Sequence, residues 1–424
     1  MKSIRALSGR LSAAVLLAAL AACASVDDGH RRPDTGPYVQ SGPFPAPPTL
    51  RPQVEFWEKV YSQWGLGQYA LHDDRYLDLV YEVVDLPQPT GEGLRNDQRT
   101  YLRARKDTLE SQLRELERKV VSGESLTADE KALRAKIVAS SAGTTGVSGA
   151  ADRLRAQRGI RERFTRGIAI SGRYDNQFRQ IFRQAGVPED LAYLPHVESS
   201  FQASARSSVG AAGIWQFMPA TARDYMVLHP ATDERLDPII SAKAAARYLS
   251  GAYSRLGDWS LAITSYNHGI GGMAKAKSQY GTDFGQIVAS YDGSSFGFAS
   301  RNFYAQFLAA REVARNPRRF LGHDVAREAP LPAESFTLDH PTSAPHLASY
   351  YGTSVDRLAG MNQAWSSSAV NGNAMLPAGA TVWVPAGTLN RLAANGQPTT
   401  PPELLAMVDT PRPVAPRSRR GRTR

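Results

Sequence analysis

The chain has one cysteine in 424 residues, Cys23, so no internal disulfide can staple any part of it. Histidine is thin as well: eight are scattered along the sequence, and no Asp-x-Asp-x-Asp-Gly calcium loop occurs. With no ligand set for zinc or calcium, neither a metal nor another cofactor is expected. Long apolar runs are also missing. Leu11 to Ala22 is too short to span a bilayer as a mature helix, and no other stretch reaches that length. Acid is in deficit, 40 Asp and Glu against 50 Lys and Arg, and the formal charge of +10 favours anionic partners. At 42% hydrophobic, the chain is long enough for two or three domains with filled interiors.

What is present begins with an address. Lys2, Arg5 and Arg10 precede the apolar run, and Leu20-Ala-Ala-Cys23 closes it, which resembles a bacterial lipoprotein signal over residues 1–22 with Cys23 as the lipid-attachment site. Ala24 stands where lipoproteins kept on the inner membrane often carry Asp, so the resemblance implies the periplasmic face of the outer membrane. A membrane-anchored chain outside the cytoplasm has no use for nucleic acid, which leaves the carboxylate-bearing cell wall as the simplest anionic partner. Residues 23–52, rich in Pro, Gly and Ser, read as a tether. Residues 389–424 read as a disordered basic tail, the last fourteen holding six arginines, three prolines and no acid.

Residues 53–152 read as an accessory region. Val54 to Trp64 is a short amphipathic helix, and Gln68 to Val84 alternates around Asp73-Asp74 as a β-hairpin does. Leu102, Leu109, Leu113, Leu116 and Val120, then Leu126, Leu133 and Ile137, recur at helical spacing. Thr127 and Glu130 make a capping box at the start of the second run. The pattern predicts a helical hairpin over residues 98–140 whose two helices pack their own leucine stripe, and it names no protein partner. From Arg153 to about Gly322 the chain reads almost wholly as helix, with Pro195 predicted to kink a helix just before Glu198.

Glu198 is the candidate catalytic residue. It closes an apolar segment and precedes a glycine-rich, aromatic-bearing turn, a setting that favours a protonated carboxyl near neutral pH. Ser207, Gln216 and Asn267 are polar groups able to hydrogen-bond a ligand, Tyr266 could orient an acid, and Phe217 and Met218 offer apolar walls. Gly213, with Gly210, lets backbone approach a ligand. Taken singly, Trp215, Phe217 and Met218 fit a core as well as a groove, and Ser207 and Gln216 fit caps or surface. Asp224, Asp233 and Asp237 follow, but Asp237-Pro238 reads as a turn into the next helix. His196 reads as structural, since helix positions two apart face different ways.

Together the Glu198-Ser-Ser-Phe run, Ser207-x-x-Gly-Ala-Ala-Gly213, Gln216-Phe-Met-Pro219 and Tyr266-Asn-His-Gly269 resemble the soluble-lytic-transglycosylase fold, most closely the membrane-bound lytic murein transglycosylase D group. Ser300-Arg-Asn-Phe-Tyr304 resembles its last groove motif and adds Tyr304 as a substrate-binding candidate. The sequence departs from the group at Ile214, His268 and Phe303. The resemblance implies a lysozyme-like all-helical catalytic domain over residues 153–325 that cleaves peptidoglycan glycan strands without water, leaving 1,6-anhydro ends. Hydrolysis on the same fold, or wall binding without turnover, are the alternatives. Residues 333–388, with Tyr-Gly-Thr-Ser-Val355, Asn362 and Val-Trp-Val-Pro385, resemble a lysin-motif module, a small βααβ unit that binds N-acetylglucosamine chains. Pro341 and Pro345 make its first turn degenerate. The expected fold class is therefore mainly α, with an N-terminal helical and hairpin region and a small α+β module at the C-terminal end.

Overall fold

The computed structural model describes residues 42–403; the expected signal segment, Cys23, most of the tether and residues 404–424 lie outside the described residues. The protein is mainly helical, with seventeen α-helices and seven short strands among the described residues. None of these helices is long and apolar enough to cross a membrane.

α1 (Arg51–Ser62) buries Val54, Phe56, Trp57, Val60 and Tyr61 on one face, as its spacing predicts. β1 (Gln68–Asp73) and β2 (Val80–Asp85) form the expected antiparallel hairpin, with Tyr69 opposite Val84. α2 (Asn96–Ser122) ends at Gly123, whose φ of +75° is the left-handed conformation that closes many helices. α3 (Ala128–Ala139) starts with the Thr127/Glu130 capping box in place. Leu109, Leu113 and Leu116 of α2 and Ile137 of α3 share one core with Leu71, Leu79 and Tyr81, so the two helices pack on the sheet as well as on each other, while Val120 is left exposed.

A third strand, β3 (Leu154–Arg158), pairs with the free edge of β1 and corrects the reading of this stretch as helix. Leu-Arg-Ala-Gln-Arg offers little apolar periodicity; β1's unpaired backbone recruits it. The buried Asp73 receives Arg153 Nε at 2.8 Å and the amides of Arg75 and Tyr76, which fixes the turn at the sheet's end.

The catalytic candidate region continues through α4 (Arg161–Ser171), α5 (Asp175–Gln184), α6 (Leu194–Glu198) and α7 (Pro219–Ala222). A two-strand ribbon follows, β4 (Leu228–His229) with β5 (Thr232–Asp233). Then come α8 (Pro238–Leu256), α9 (Trp259–His268), α10 (Ile270–Tyr280), α11 (Phe284–Ser290), α12 (Phe298–Arg315) and α13 (Pro317–Leu321). Buried alanines along α8, at 242, 244, 245, 246 and 252, let its neighbours come close. α12 is the hub, burying Phe303, Phe307, Leu308 and Val313. α1 lies against it, Trp57 Nε1 donating to Asn302 Oδ1 at 3.4 Å, and reaches α4 by stacking Tyr61 on Phe164 with ring centres 4.6 Å apart.

The C-terminal unit pairs β6 (Ala333–Thr337) with β7 (Thr381–Pro385) around α14 (Ala344–Tyr351), α15 (Val355–Met361) and α16 (Ser367–Val370). Asn362 is its clasp: its side chain both accepts from the Trp383 amide and donates to the Trp383 carbonyl, each at 2.8 Å. The expectation of disorder from residue 389 is corrected up to residue 403. α17 (Thr388–Ala394) seats Leu392 in the unit's core, and Tyr350 and Tyr351 donate to the carbonyls of Pro398 and Thr399.

This unit is joined to the helical region through the β4–β5 ribbon. Ala231 sits fully buried in the C-terminal unit's core, Asp233 N donates to Ala364 O at 2.8 Å, and Ser366 N donates to Ala231 O at 2.9 Å.

Candidate active site

Glu198 is the last residue of α6, a helix of only five residues. Pro195 does not kink a longer helix. It sits in the first turn of α6, where a missing N–H leaves no bond unmade, and the preceding residues Glu189–Tyr193 form a separate 3₁₀ turn. The carboxyl thus stands at the end of an element that stops abruptly.

The stop is strained. Ser200 and Phe201 both take positive φ, +50° and +60°, and Gln216 takes +49°; these are the non-glycine residues in that region among those described. Each costs on the order of 1 kcal/mol or more unless surroundings enforce it. Here they do: Phe201 is buried against His196, with ring centres 4.6 Å apart, and Gly167 meets the Ser200 backbone so closely that an added Cβ would lie 2.8 Å from its carbonyl oxygen. All three strained residues belong to the Glu198 turn or the turn facing it.

That facing turn runs from Ser207 to Phe217. Ser199 Oγ donates to Ile214 O at 2.8 Å and links the two. Gly213 has φ +82°, and a Cβ on it would fall 1.7 Å from Arg235 O, so only glycine fits. Ser207 Oγ accepts from Ala211 N at 2.9 Å, and Gln216 Nε2 donates to Gly213 O at 2.7 Å. Both polar side chains hold the loop, and each is half-buried. Met218 is exposed at 41%, whereas Trp215 is buried and Phe217 is only 3% exposed. Phe217 therefore backs the site rather than walling it, its ring edge-on to Tyr266 at 5.7 Å.

α9 supplies Tyr266 and Asn267. Tyr266 donates its phenol proton to Trp215 O at 2.9 Å. Exposed Asn267 accepts from Ser300 Oγ at 2.7 Å, which leaves its amide N–H groups outward. Tyr304 is not brought to the site. It is fully buried on α12, donates to Pro45 O at 2.8 Å, and packs against Phe284 and Phe307.

Burial pushes Glu198 up to about 8, from an ordinary 4.5, and no neighbouring charge contributes. Below that pH the carboxyl is a proton donor. Tyr266 is held far above its ordinary value by burial and by the Glu198 charge, and so is Tyr61 of α1. Tyr61 is thus a site neighbour that sequence reasoning missed, because a tyrosine in an apolar stripe carries no motif. His196, among Phe164, Tyr193 and Phe201, is driven by burial to about 3 and stays neutral.

The other acids are occupied or outside. Asp237 caps α8, accepting from Ile239 N at 2.8 Å and Ile240 N at 2.9 Å, and also receives Trp383 Nε1. Asp233 pairs with Arg235 at 2.8 Å, and Asp224 is exposed.

Residues 178–287 match the transglycosylase SLT domain, a span that starts in α5 and ends in α11 and includes Glu198. The chain is 27% identical over 187 residues to membrane-bound lytic murein transglycosylase D of Escherichia coli K12, covering 42% of this chain and 40% of that protein. It is 40% identical over 94 residues to a putative tributyltin chloride resistance protein of an Alteromonas species, covering 22% of this chain and 45% of that one. The chain therefore spans less than half the length of these relatives. A solved structure, the 70 kDa soluble lytic transglycosylase of Escherichia coli, is 23% identical with a TM-score of 0.29, covering 36% of this chain and 25% of that one.

Proposed function

We propose that this chain, built around an SLT domain, is a peptidoglycan lytic transglycosylase with Glu198 as its sole acid and base. The observation that carries the reading is solitude: burial alone holds the Glu198 carboxyl protonated to about pH 8, while among the described residues that follow it Asp233 and Asp237 are committed elsewhere and Asp224 is exposed. A conventional glycosidase needs a second carboxylate as nucleophile or base.

The chemistry then balances without water. Glu198 gives its proton to the glycosidic oxygen between N-acetylmuramic acid and N-acetylglucosamine as the C1–O bond breaks. The carboxylate so formed takes the proton of the muramoyl 6-hydroxyl, whose oxygen bonds to C1 and closes the 1,6-anhydro ring. Burial that raises the first proton's affinity also makes the resulting carboxylate a stronger base. Tyr266, its proton engaged by Trp215 O, turns lone pairs toward the cationic sugar, while Gln216, Ser207 and Asn267 bind hydroxyl, acetamido or lactyl groups and Met218 contacts a ring face. Gly213 keeps the loop's backbone close to the sugar.

The C-terminal unit over 333–388 serves as a lysin-motif-like glycan-binding module, and Cys23 carries the lipid that holds the enzyme at the periplasmic face of the outer membrane. The +10 charge suits a carboxylate-rich wall.

Mass analysis of fragments from purified sacculi tests the reading. Products one water lighter than hydrolysed muropeptides are expected from the wild type and none from Glu198→Gln; hydrolysed ends would assign a lysozyme-like hydrolase. Sacculus binding without release by either protein would assign a scaffold.

A further inference from the structure

Away from Glu198, a cavity of about 280 Å³ opens where the β1–β2 turn meets α11, α12 and the start of α1. Its polar lining includes Arg75, Arg301, Thr49, Gln53 and Ser141. Arg75 is pinned by donating to Ala289 O at 2.8 Å, and Arg301 by donating to Phe296 O at 3.3 Å. Arg301 Nε is buried with no partner. Among the described residues, neither guanidinium has a carboxylate oxygen within 4.0 Å. Asp74 acts on both only at longer range, and its own buried Oδ1 also lacks a partner. Asp78, the other nearby acid, is taken up by the Ser141 amide and hydroxyl at 2.7 and 2.6 Å.

Exposed Arg75 and half-buried Arg301 line the same cavity, and the buried Nε of Arg301 is a donor whose unmet hydrogen bond costs free energy. An anion with two oxygens would satisfy both. The volume lies just below the usual range for small-molecule pockets, too small for a pair of sugars but sufficient for the end of a peptide.

We propose that this cavity binds a carboxylate, and that its source is the peptide stem hanging from the glycan strand. The second half rests on the lytic reading above. Arg301 follows Ser300, whose hydroxyl donates to Asn267 Oδ1 at 2.7 Å, so the cavity's α12 wall adjoins the residue that holds Asn267.

The experiment uses the full chain carrying Glu198→Gln, which stops turnover, and titration calorimetry with three probes: the free tetrapeptide L-Ala-γ-D-Glu-meso-diaminopimelate-D-Ala, the same peptide with every carboxyl amidated, and inorganic phosphate. The acid peptide should bind, and amidation, Arg301→Gln or Arg75→Gln should each weaken it by about ten-fold or more, as expected for lost charge-assisted bonds. Thermal melts identify a variant that fails to fold, and the other variant then decides. Equal binding of the amidated peptide, or unchanged binding by folded variants, overturns the site. Phosphate binding as tightly as the peptide overturns the stem as its source. The lytic reading stands or falls separately, on product masses from the unmodified enzyme acting on peptide-stripped glycan.

Discussion

At the scale of single residues, the site is governed by where one carboxyl loses water. Glu198 has no charge partner to explain its shift to about 8, so the shift is a desolvation cost that the fold bears. The sign can be followed through pH. Below 4.5 both folded and unfolded chains hold the proton, and the carboxyl costs nothing. Between 4.5 and about 8 the unfolded chain ionises while the folded one does not, so stability falls as pH rises. Replacing Glu198 with Gln should therefore leave the melting temperature nearly unchanged at pH 4 and raise it progressively toward pH 8, measured by calorimetry across that range. Turnover should fall by at least about 10²-fold in the same variant, and in the wild type should decline above pH 8 as the donor form is lost. A variant no more stable than wild type at pH 8 would mean that Glu198 is not buried at a cost.

At the scale of elements, what matters is how short pieces are stopped. α6 ends after one turn because Ser200 and Phe201 take left-handed backbone, and α8 starts where it does because Asp237 caps it. Asp237 has a second duty, receiving the indole N–H of Trp383 from β7. Asp237→Ala should cost about 2–4 kcal/mol, the sum of a lost cap and orphaned buried donors, while Asp237→Asn should cost less because it still accepts. Urea titration of the three proteins checks the order. The Thr127/Glu130 capping box of α3 and the apolar face of α1 were legible in sequence because they are local. The third strand was not, since Leu154–Arg158 pairs only because β1 presents an edge 81 to 89 residues earlier in the chain.

At the scale of the whole molecule, the helical region and the C-terminal unit share backbone hydrogen bonds at Ala231, Asp233, Ala364 and Ser366, a bond that the Thr381 amide donates to Glu234 Oε1 at 3.0 Å, and a core that contains Ala231. Linkers of flexible composition do not do this. Residues 42–403 should unfold in one calorimetric transition, and ending the chain at residue 330 should lower the melting temperature of the remainder by exposing the β4–β5 ribbon. Two well-separated transitions would show the units to be independent. The N-terminal helix is similarly joined, since Tyr61 and Trp57 of α1 reach the site's own scaffold.

The amino-acid sequence by itself determined the helical class and many of the caps and turns, and its motifs, with the family they resemble, nominated a candidate site: Glu198, the glycines of its facing loop, Gln216, Met218, Tyr266 and Asn267. Only the tertiary structure decided which of the nominated residues are buried and which are left exposed. It turned Phe217 and Tyr304 inward, brought Tyr61 from a distant helix toward Glu198, and drew residues 389–403 into an ordered unit. The division has one physical cause. Turns, caps and periodic faces are set by interactions within a few residues, whereas burial, and with it the proton affinity of Glu198, is set by whatever the rest of the chain lays across it.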